Sequence, residues 1–251
     1  MASECPICNG TGFALSTADG GVINSVRCEC EKERLADKLL RRAKIPKRYA
    51  HCRFDSFEPS NETLAPALHL CQGWVDGFLS QKQGMLLMGP PGTGKTHLAV
   101  SMAREVVERY KQTVLFYEQR ALFKALQATF DDGGVKEAEV LRPVLDCDLL
   151  VLDDLGAGRT THWGKDVLHD IIAQRYNDER LVIITTNLTW AKEHSVPSSD
   201  RRDLPTSLQD RLGDPLLSRL SEMCEILKLK GRDYRAHEKK YPNRADGKHD
   251  V

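Results

Sequence analysis

One segment of the chain combines the residue types and the spacing of a phosphate-binding loop. Residues 89–96 match the pattern G-x-x-x-x-G-K-[ST] in full. They follow an apolar run at 85–88 that is typical of a strand and precede an amphipathic stretch at 96–110 that is typical of a helix. Glycines let backbone N–H groups turn toward phosphate oxygens, Lys95 neutralises β- and γ-phosphate charge, and the Thr96 hydroxyl is a ligand for Mg²⁺. The sequence therefore predicts a nucleoside-triphosphate site at Gly89, Pro90, Pro91, Gly92, Thr93, Gly94, Lys95 and Thr96.

Polar residues also stand at the ends of two later apolar runs. Asp153 and Asp154 follow the run 149–152, and Asn187 follows the run 181–186. Beside a phosphate-binding loop, Asp153 would hold Mg²⁺ through water, and Asp154 would orient or deprotonate the attacking water. Asn187 would position that water, with a turn-forming role as the alternative. We therefore predict a hydrolytic centre in which these residues act with the loop lysine.

Four of the eight cysteines lie in the first thirty residues. They form C-x₂-C and C-x-C pairs separated by nineteen residues, and two close pairs can supply four thiolates to a tetrahedral Zn²⁺. This segment is too poor in apolar residues to form a core, so a metal ion is the expected source of its order. Free, redox-labile thiols are the alternative. The predicted zinc ligands are Cys5, Cys8, Cys28 and Cys30, and the predicted packing residues are Cys52, Cys71, Cys147 and Cys224.

Charge is balanced over the whole chain but not along it. The 251 residues carry 36 Lys and Arg against 36 Asp and Glu. Residues 27–54 have ten basic and four acidic side chains, a net charge of +6, whereas residues 55–227 have a net charge of −8. The basic segment is expected to face single-stranded DNA, with a solvated linker as the alternative. No run of 18 apolar residues and no secretory start is present, which predicts a cytoplasmic protein without membrane partners.

Short apolar runs that alternate with amphipathic stretches predict an α/β fold. Continuously apolar strands separated by helices indicate a five-stranded parallel sheet that is covered by helices on both faces. The expected organisation is a zinc-binding module at 1–31, a basic helical linker at 32–57, an ATPase domain at 58–236 and a flexible basic tail at 237–251.

The ordered set of motifs resembles the AAA+ ATPases, and within them the bacterial and phage replicative-helicase loaders and the IstB-like transposition ATPases. The resemblance implies an AAA+ P-loop fold without a full helical lid, and a site for ATP and Mg²⁺ that includes His97. It also implies that Asn187 is the sensor-1 residue, Arg235 the sensor-2 arginine and Arg219 the arginine finger for the neighbouring subunit, with Arg211 as a competing finger. The residues that carry it are 45–49, Phe54, Phe57, 89–99, 149–156, 185–188, 217–220 and 233–235.

The same resemblance implies a function, with alternatives. The leading hypothesis is a self-associating helicase loader that binds a replicative DNA helicase through its zinc module and binds single-stranded DNA. An IstB-like ATPase that selects transposition targets on duplex DNA is one alternative, and a non-hydrolysing ATP-dependent binding protein is another. Asp154 stands where AAA+ enzymes commonly have Glu, so slow hydrolysis is expected. P-loop kinases also carry the loop, but no Arg-rich lid insertion is evident in this sequence.

Overall fold

A computed structural model describes residues 5–17, 23–59, 64–130, 136–158, 161–191, 207–231 and 233–234 of the chain. In chain order the strands are β1 (Phe13–Thr17), β2 (Ile23–Arg27), β3 (Gly84–Met88), β4 (Val114–Glu118), β5 (Leu149–Asp153), β6 (Leu181–Thr186) and β7 (Cys224–Lys228). The helices are α1 (Glu29–Arg42), α2 (Leu64–Asp76), α3 (Lys95–Tyr110), α4 (Gln119–Gln127), α5 (Glu137–Asp146), α6 (His162–Asn177), α7 (Leu208–Leu212) and α8 (Asp214–Met223). Short 3₁₀ turns occupy Lys47–Tyr49, Phe78–Ser80 and Ala128–Phe130.

Strands β3 to β7 form one parallel sheet in the order β4-β5-β6-β3-β7. Alternate residues of the central strands enter two separate cores. Leu87 and Val151 pack with α1, α2 and α3 on one face, and Leu86 and Leu150 pack with α4 to α8 on the other. Both faces are therefore covered, which is why these strands are continuously apolar. This confirms the predicted α/β class with a five-stranded parallel sheet.

Two strands and two helices were not predicted from the sequence. The hairpin β1–β2 lies in the cysteine-rich segment, where hydrophobic periodicity is weak. Helix α2 has Pro66 and Gly73 within its span, and α5 contains Pro143, and both residue types are poor helix formers. The sequence also predicts helices over 31–42, 120–130, 165–176 and part of 208–219, and strands over 114–117 and 224–229. The corresponding helices and strands of the structure lie within a few residues of these spans.

The end of the predicted linker packs into the core on one face of the parallel sheet. Ala43 is fully buried, and its carbonyl accepts a hydrogen bond of 2.7 Å from the backbone N–H of Phe116 on β4. Cys52 and Phe57 are buried in the same core as α2 and α3. Because β4 is an edge strand, this segment covers one of its exposed backbone groups. The basic segment is thus attached to the sheet and contributes to the domain.

Within the described ranges, no helix is both long enough and apolar enough to span a bilayer. All four cysteines predicted to be packing residues are buried, namely Cys52, Cys71, Cys147 and Cys224.

Candidate functional site

The phosphate-binding loop lies between β3 and α3, as its sequence requires. Gly92 and Gly94 have φ angles of +76° and +87°, a region that side chains with a Cβ rarely adopt. A Cβ on Gly94 would also lie 2.5 Å from Cε2 of Phe57. Lys95 is 6% exposed, and its Nζ donates hydrogen bonds of 2.8 and 2.7 Å to the carbonyls of Gly89 and Pro90. The loop therefore holds its lysine inside the concave side where phosphate groups would be bound.

Thr96 and Asp153 meet at the carboxyl edge of the sheet. The Thr96 hydroxyl donates to Oδ1 of Asp153 over 2.8 Å, and the Thr185 hydroxyl donates to the same oxygen over 2.7 Å. Burial raises the pKa of Asp153, and the two hydroxyl hydrogen bonds oppose that rise. A hydroxyl and a carboxylate oxygen at this spacing are the hard ligands that Mg²⁺ prefers, so these two residues fit the predicted ion.

Asp154 and Asn187 form a second polar pair beside the first. Nδ2 of Asn187 donates a hydrogen bond of 2.8 Å to Oδ1 of Asp154. Asp154 has a φ of +57°, and its backbone N–H donates to the Thr185 hydroxyl over 2.9 Å. Aspartate tolerates this left-handed conformation better than most residues do. The turn points the Asp154 carboxylate toward β6, where the amide and the carboxylate can orient a water molecule together.

His97 faces the linker segment. Its Nε2 lies 2.9 Å from the carbonyl of Arg53 and 3.3 Å from the hydroxyl of Ser56, and its ring packs edge-on against Phe57. Burial lowers the pKa of His97. The structure thus shows His97 joining α3 to residues 53–57, and its predicted contact with nucleotide stays a prediction.

The three predicted arginines have different surroundings. Arg219 on α8 is half-buried, and its Nη1 lies 2.7 Å from Nε2 of His169 on α6. Arg211 is 9% exposed, its Cγ lies 3.5 Å from the Cβ position of Gly156, and its Nε has no partner within the described ranges. Burial lowers the pKa of Arg211. Arg235 lies outside the described residues.

The four cysteines predicted to bind zinc converge. Their sulfur atoms lie within 4.8 Å of one another, with Cys5 and Cys28 3.8 Å apart and Cys8 and Cys30 3.5 Å apart. Hydrogen bonds from the backbone N–H groups of Cys8 and Ile7 lower the pKa of Cys5 to about 7. The hydrogen bond with the Cys8 sulfur raises the pKa of Cys30, as expected where several thiols share one site without a cation. Four sulfurs in so close a group fit a tetrahedral zinc ion.

Two residues close to Thr96 and Asp153 were not identified as site residues from the sequence. Glu118, the last residue of β4, is in register with Asp153, the last residue of β5. Burial and the nearby charge of Asp153 raise the pKa of Tyr49, whose hydroxyl accepts a hydrogen bond of 2.5 Å from Arg48. The polar residue directly after the run 114–117 was the available signal for Glu118.

Comparison with known proteins agrees with this geometry. The chain is 33% identical over 154 residues to the uncharacterized protein YdaV of Escherichia coli K12, a match that covers 61% of each chain. It is 27% identical over 168 residues to the replicative helicase loader DnaC of the same organism, covering 66% of this chain and 68% of DnaC. A putative ATP-binding protein of insertion sequence IS5376 from Geobacillus stearothermophilus is 25% identical over 210 residues, with 84% and 77% covered.

The structural comparison points to the same group. The crystal structure of the DnaC helicase loader superposes with a TM-score of 0.63 at 33% identity, covering 74% of this chain and all of that one. The crystal structure of DnaI, at 19% identity and a TM-score of 0.56, shares the fold. Residues 24–242 match the family described as IstB-like ATP binding protein. The α/β core, its phosphate-binding loop and this match over most of the sequence lead to one conclusion: the chain belongs to the IstB-like ATP-binding protein family of AAA+ ATPases.

Proposed function

We propose that this protein is an ATP-controlled loader that binds a hexameric replicative helicase and places it on single-stranded DNA. One observation carries the proposal: a four-cysteine module is joined by a basic helix to an ATPase core of the IstB-like family. The relatives named replicative helicase loader DnaC share that core and support the assignment. ATP binding would favour assembly, and hydrolysis to ADP and phosphate would release the helicase.

The residues at the carboxyl edge of the sheet account for the ATPase step. Lys95 would leave its loop carbonyls to neutralise the β- and γ-phosphates, while Thr96 and Asp153 would hold Mg²⁺. The bound ion would neutralise charge on the phosphate oxygens. Asn187 and Asp154 would orient the attacking water through their hydrogen-bonded pair. Slow turnover suits a switch that must stay bound until the helicase is in place.

Self-association through Arg219 is part of the proposal. Arg219 is more accessible than Arg211, whose side chain lies under the turn at Gly156. A guanidinium from one subunit would add positive charge beside the ATP of its neighbour. Mixing Arg219→Ala with Lys95→Ala tests this arrangement, because the second variant supplies an intact arginine to the first. Turnover above that of either variant alone supports a composite site, and purely additive rates contradict it.

The cysteine module has the surface of a protein-binding unit. Its exposed apolar side chains include Ile7, Phe13 and Leu15, which are 69%, 55% and 78% exposed. Few basic residues lie among them. Exposed apolar residues on a small module are typical of a protein interface, so we assign the helicase contact to this module.

Two surfaces have the chemistry for single-stranded DNA. Along the basic helix and after it, the exposed cations that make neither an ion pair nor a side-chain hydrogen bond among the described residues are Lys38, Arg41, Arg42 and Lys47. The second surface lies on the other face of the sheet. There the ring of Trp163 lies 5.6 Å from that of Phe123 on α4 and 5.7 Å from that of Phe130, which is 60% exposed. The exposed Arg120 and Lys124 also belong to α4. Aromatic rings beside cations stack with bases without sequence preference.

Capture of the helicase tests the proposal. Full-length protein should retain the cognate helicase in ATP and release it in ADP. A variant that lacks residues 1–28 should lose capture while keeping nucleotide binding. That boundary keeps Ala43, which packs on the core. Equal helicase capture in ATP and in ADP, and by the full-length and the truncated protein, would contradict the proposal.

A transposition ATPase that coats duplex DNA is the second candidate, favoured by the IS5376 relative and the family match. A transposition ATPase would have the same core as a helicase loader. The role of the cysteine module and the preference for single-stranded or duplex DNA therefore distinguish the two candidates. ATP-dependent filaments on duplex DNA, seen by electron microscopy, would support this candidate. A third possibility, a non-hydrolysing binding protein, is tested by ATP turnover that Lys95→Ala abolishes.

A further inference from the structure

We propose that His51, Cys52 and His97 form a further metal site, separate from the four-cysteine group, that binds a zinc ion. One ligand atom from each of the three residues lies within 4.8 Å of the other two. Sγ of Cys52 lies 3.8 Å from Nε2 of His51, and the two histidine rings meet nearly at right angles with centroids 6.0 Å apart. Zinc bonds of about 2.3 Å to sulfur and about 2.0 Å to nitrogen place the ligands of a tetrahedral ion roughly 3.5 Å apart. The three side chains therefore need only small movements to surround one ion.

The ligand types select zinc among the common divalent ions. Thiolate and imidazole are ligands for zinc, whereas magnesium and calcium prefer oxygen. Two imidazoles and one thiolate leave the fourth position of a tetrahedral ion open. Cys52 is 2% exposed and His51 is exposed, so the ion would have a buried sulfur on one side and solvent access beside the histidine. On binding, the Cys52 thiol gives its proton to solvent, and the thiolate sulfur donates an electron pair to the ion.

The hydrogen bond of His97 leaves one ring nitrogen available. Its Nε2 lies 2.9 Å from the carbonyl of Arg53, which can only accept, so Nε2 carries the proton and the lone pair lies on Nδ1. A metal-bound histidine usually donates its other ring N–H to a carbonyl or carboxylate, which fixes the tautomer and orients the ring. The edge-on contact with Phe57, at 5.3 Å between centroids, restrains the same ring. His97 thus has the surroundings of a metal ligand.

The loop that carries the other two ligands is fixed relative to α3, the helix that supplies the third. The Ser56 hydroxyl donates to the carbonyl of His51 over 2.8 Å and accepts a hydrogen bond of 3.0 Å from the backbone N–H of Arg53. The guanidinium of Arg53 binds both carboxylate oxygens of Glu108 on α3 at 2.8 Å. Ligands that are held in place before the ion arrives lose little freedom on binding. An occupied site would fasten the end of the linker to the start of α3, directly after the phosphate-binding loop.

Zinc uptake by the full-length protein tests the site. Three ligands hold zinc less tightly than four thiolates, so the four-cysteine group should fill first and this site should fill only when zinc is added. After dialysis against a zinc buffer, wild-type protein should retain one more zinc per chain than His51→Ala or Cys52→Ala, measured by elemental analysis. Added zinc should also raise the Tm of the wild type more than that of His51→Ala, because an ion that binds the folded state stabilises it. His69→Ala, at an exposed histidine on α2, is the matched control and should behave as wild type.

A further variant distinguishes the two metal sites. Cys28→Ser disrupts the four-cysteine group and should still take up the added zinc at His51, Cys52 and His97. Because His51 is exposed, His51→Ala should fold normally even if replacement of the buried Cys52 does not. Equal zinc content in wild-type protein and His51→Ala after dialysis would overturn the site, whatever the four-cysteine group binds. Loss of the added zinc in His69→Ala as well would show nonspecific binding to surface histidines and would likewise reject it.

Discussion

Thr96 and Asp153, 57 positions apart in the sequence, are joined by a hydrogen bond of 2.8 Å from the Thr96 hydroxyl to Oδ1 of the aspartate. The bond connects the start of α3 to the end of β5. It brings the two nucleotide motifs to the same edge of the sheet. Asp153 is 3% exposed, so the pair is shielded from bulk water. The hydrogen bond already holds its two oxygen atoms close enough together to bind one cation.

Thr96→Val is expected to weaken nucleotide binding only when magnesium is present. Valine keeps the shape of threonine but removes the oxygen that would bind the ion. Affinity for a fluorescent ADP analogue should fall by about tenfold or more with Mg²⁺ and change little in EDTA. Thr96→Ser restores the hydroxyl and is the control. Equal weakening under both conditions would show that Thr96 acts through loop structure instead.

The cysteines should separate into two reactivity classes. Burial raises the pKa of Cys52 to about 11 and that of Cys71 to about 12, and it also raises the pKa values of Cys147 and Cys224. Only the thiolate is nucleophilic, so these four thiols should react slowly near neutral pH.

The four clustered cysteines should be protected by the expected zinc ion and should react faster once it is removed. Purified protein should contain one zinc per chain. After chelation Cys5, whose pKa is lowered to about 7, should react fastest with a chromogenic disulfide, while the four buried thiols stay slow until denaturant is added. Replacing Cys28 with Ser should reduce zinc content to near zero. Reduced protein without bound metal would reject the four-cysteine site.

The sequence predicts those parts of the site that are formed by contiguous sequence patterns. The loop at 89–96, the strand that ends at Asp153 and the cysteine pairs are local patterns, and the structure places each in the expected context. Glu118 and Tyr49 could not be assigned, because their proximity to the site arises from pairing between distant segments.

The linker shows the same limit. Its charge predicts an exposed basic helix, and the exposed cations agree. The burial of Ala43 and Cys52 depends on the open edge of β4 and on the packing of α3, which no residue in the linker reveals by itself. The exposed apolar hairpin was missed for a related reason, since its alternation is short and no core is built on it.

Trp163→Ala is expected to weaken binding of single-stranded DNA. Stacking on an aromatic side chain contributes about 1–3 kcal/mol per base, so the dissociation constant for labelled oligothymidine should rise roughly fivefold to a hundredfold. Fluorescence anisotropy at fixed salt measures the change. Trp163→Phe should retain much of the affinity. Trp74 is buried in the core on the other face of the sheet, so Trp74→Phe serves as a control for tryptophan replacement in general. Unchanged affinity in Trp163→Ala would remove this surface from the DNA-binding site.

Arg175 should be critical for stability without taking part in catalysis. Its side chain is fully buried, and its guanidinium donates to the carbonyls of Val144, Leu145, Cys147 and Leu181. Arg175→Met would leave these carbonyls without a donor and should lower the free energy of unfolding by about 3–5 kcal/mol. Urea denaturation measures the loss. Arg142→Met, whose side chain is 84% exposed, is the matched control and should change stability by less than about 0.5 kcal/mol.

The most direct test of the loader account is transfer of the cognate helicase onto a closed single-stranded DNA circle, which has no end for threading. Gel filtration would separate labelled helicase bound to the circle from free helicase. We predict that helicase elutes with the circle only when this protein and ATP are both present, and that the Lys95→Ala protein fails to support transfer. Helicase that loads equally well with and without this protein, or with the Lys95→Ala variant, would contradict the account.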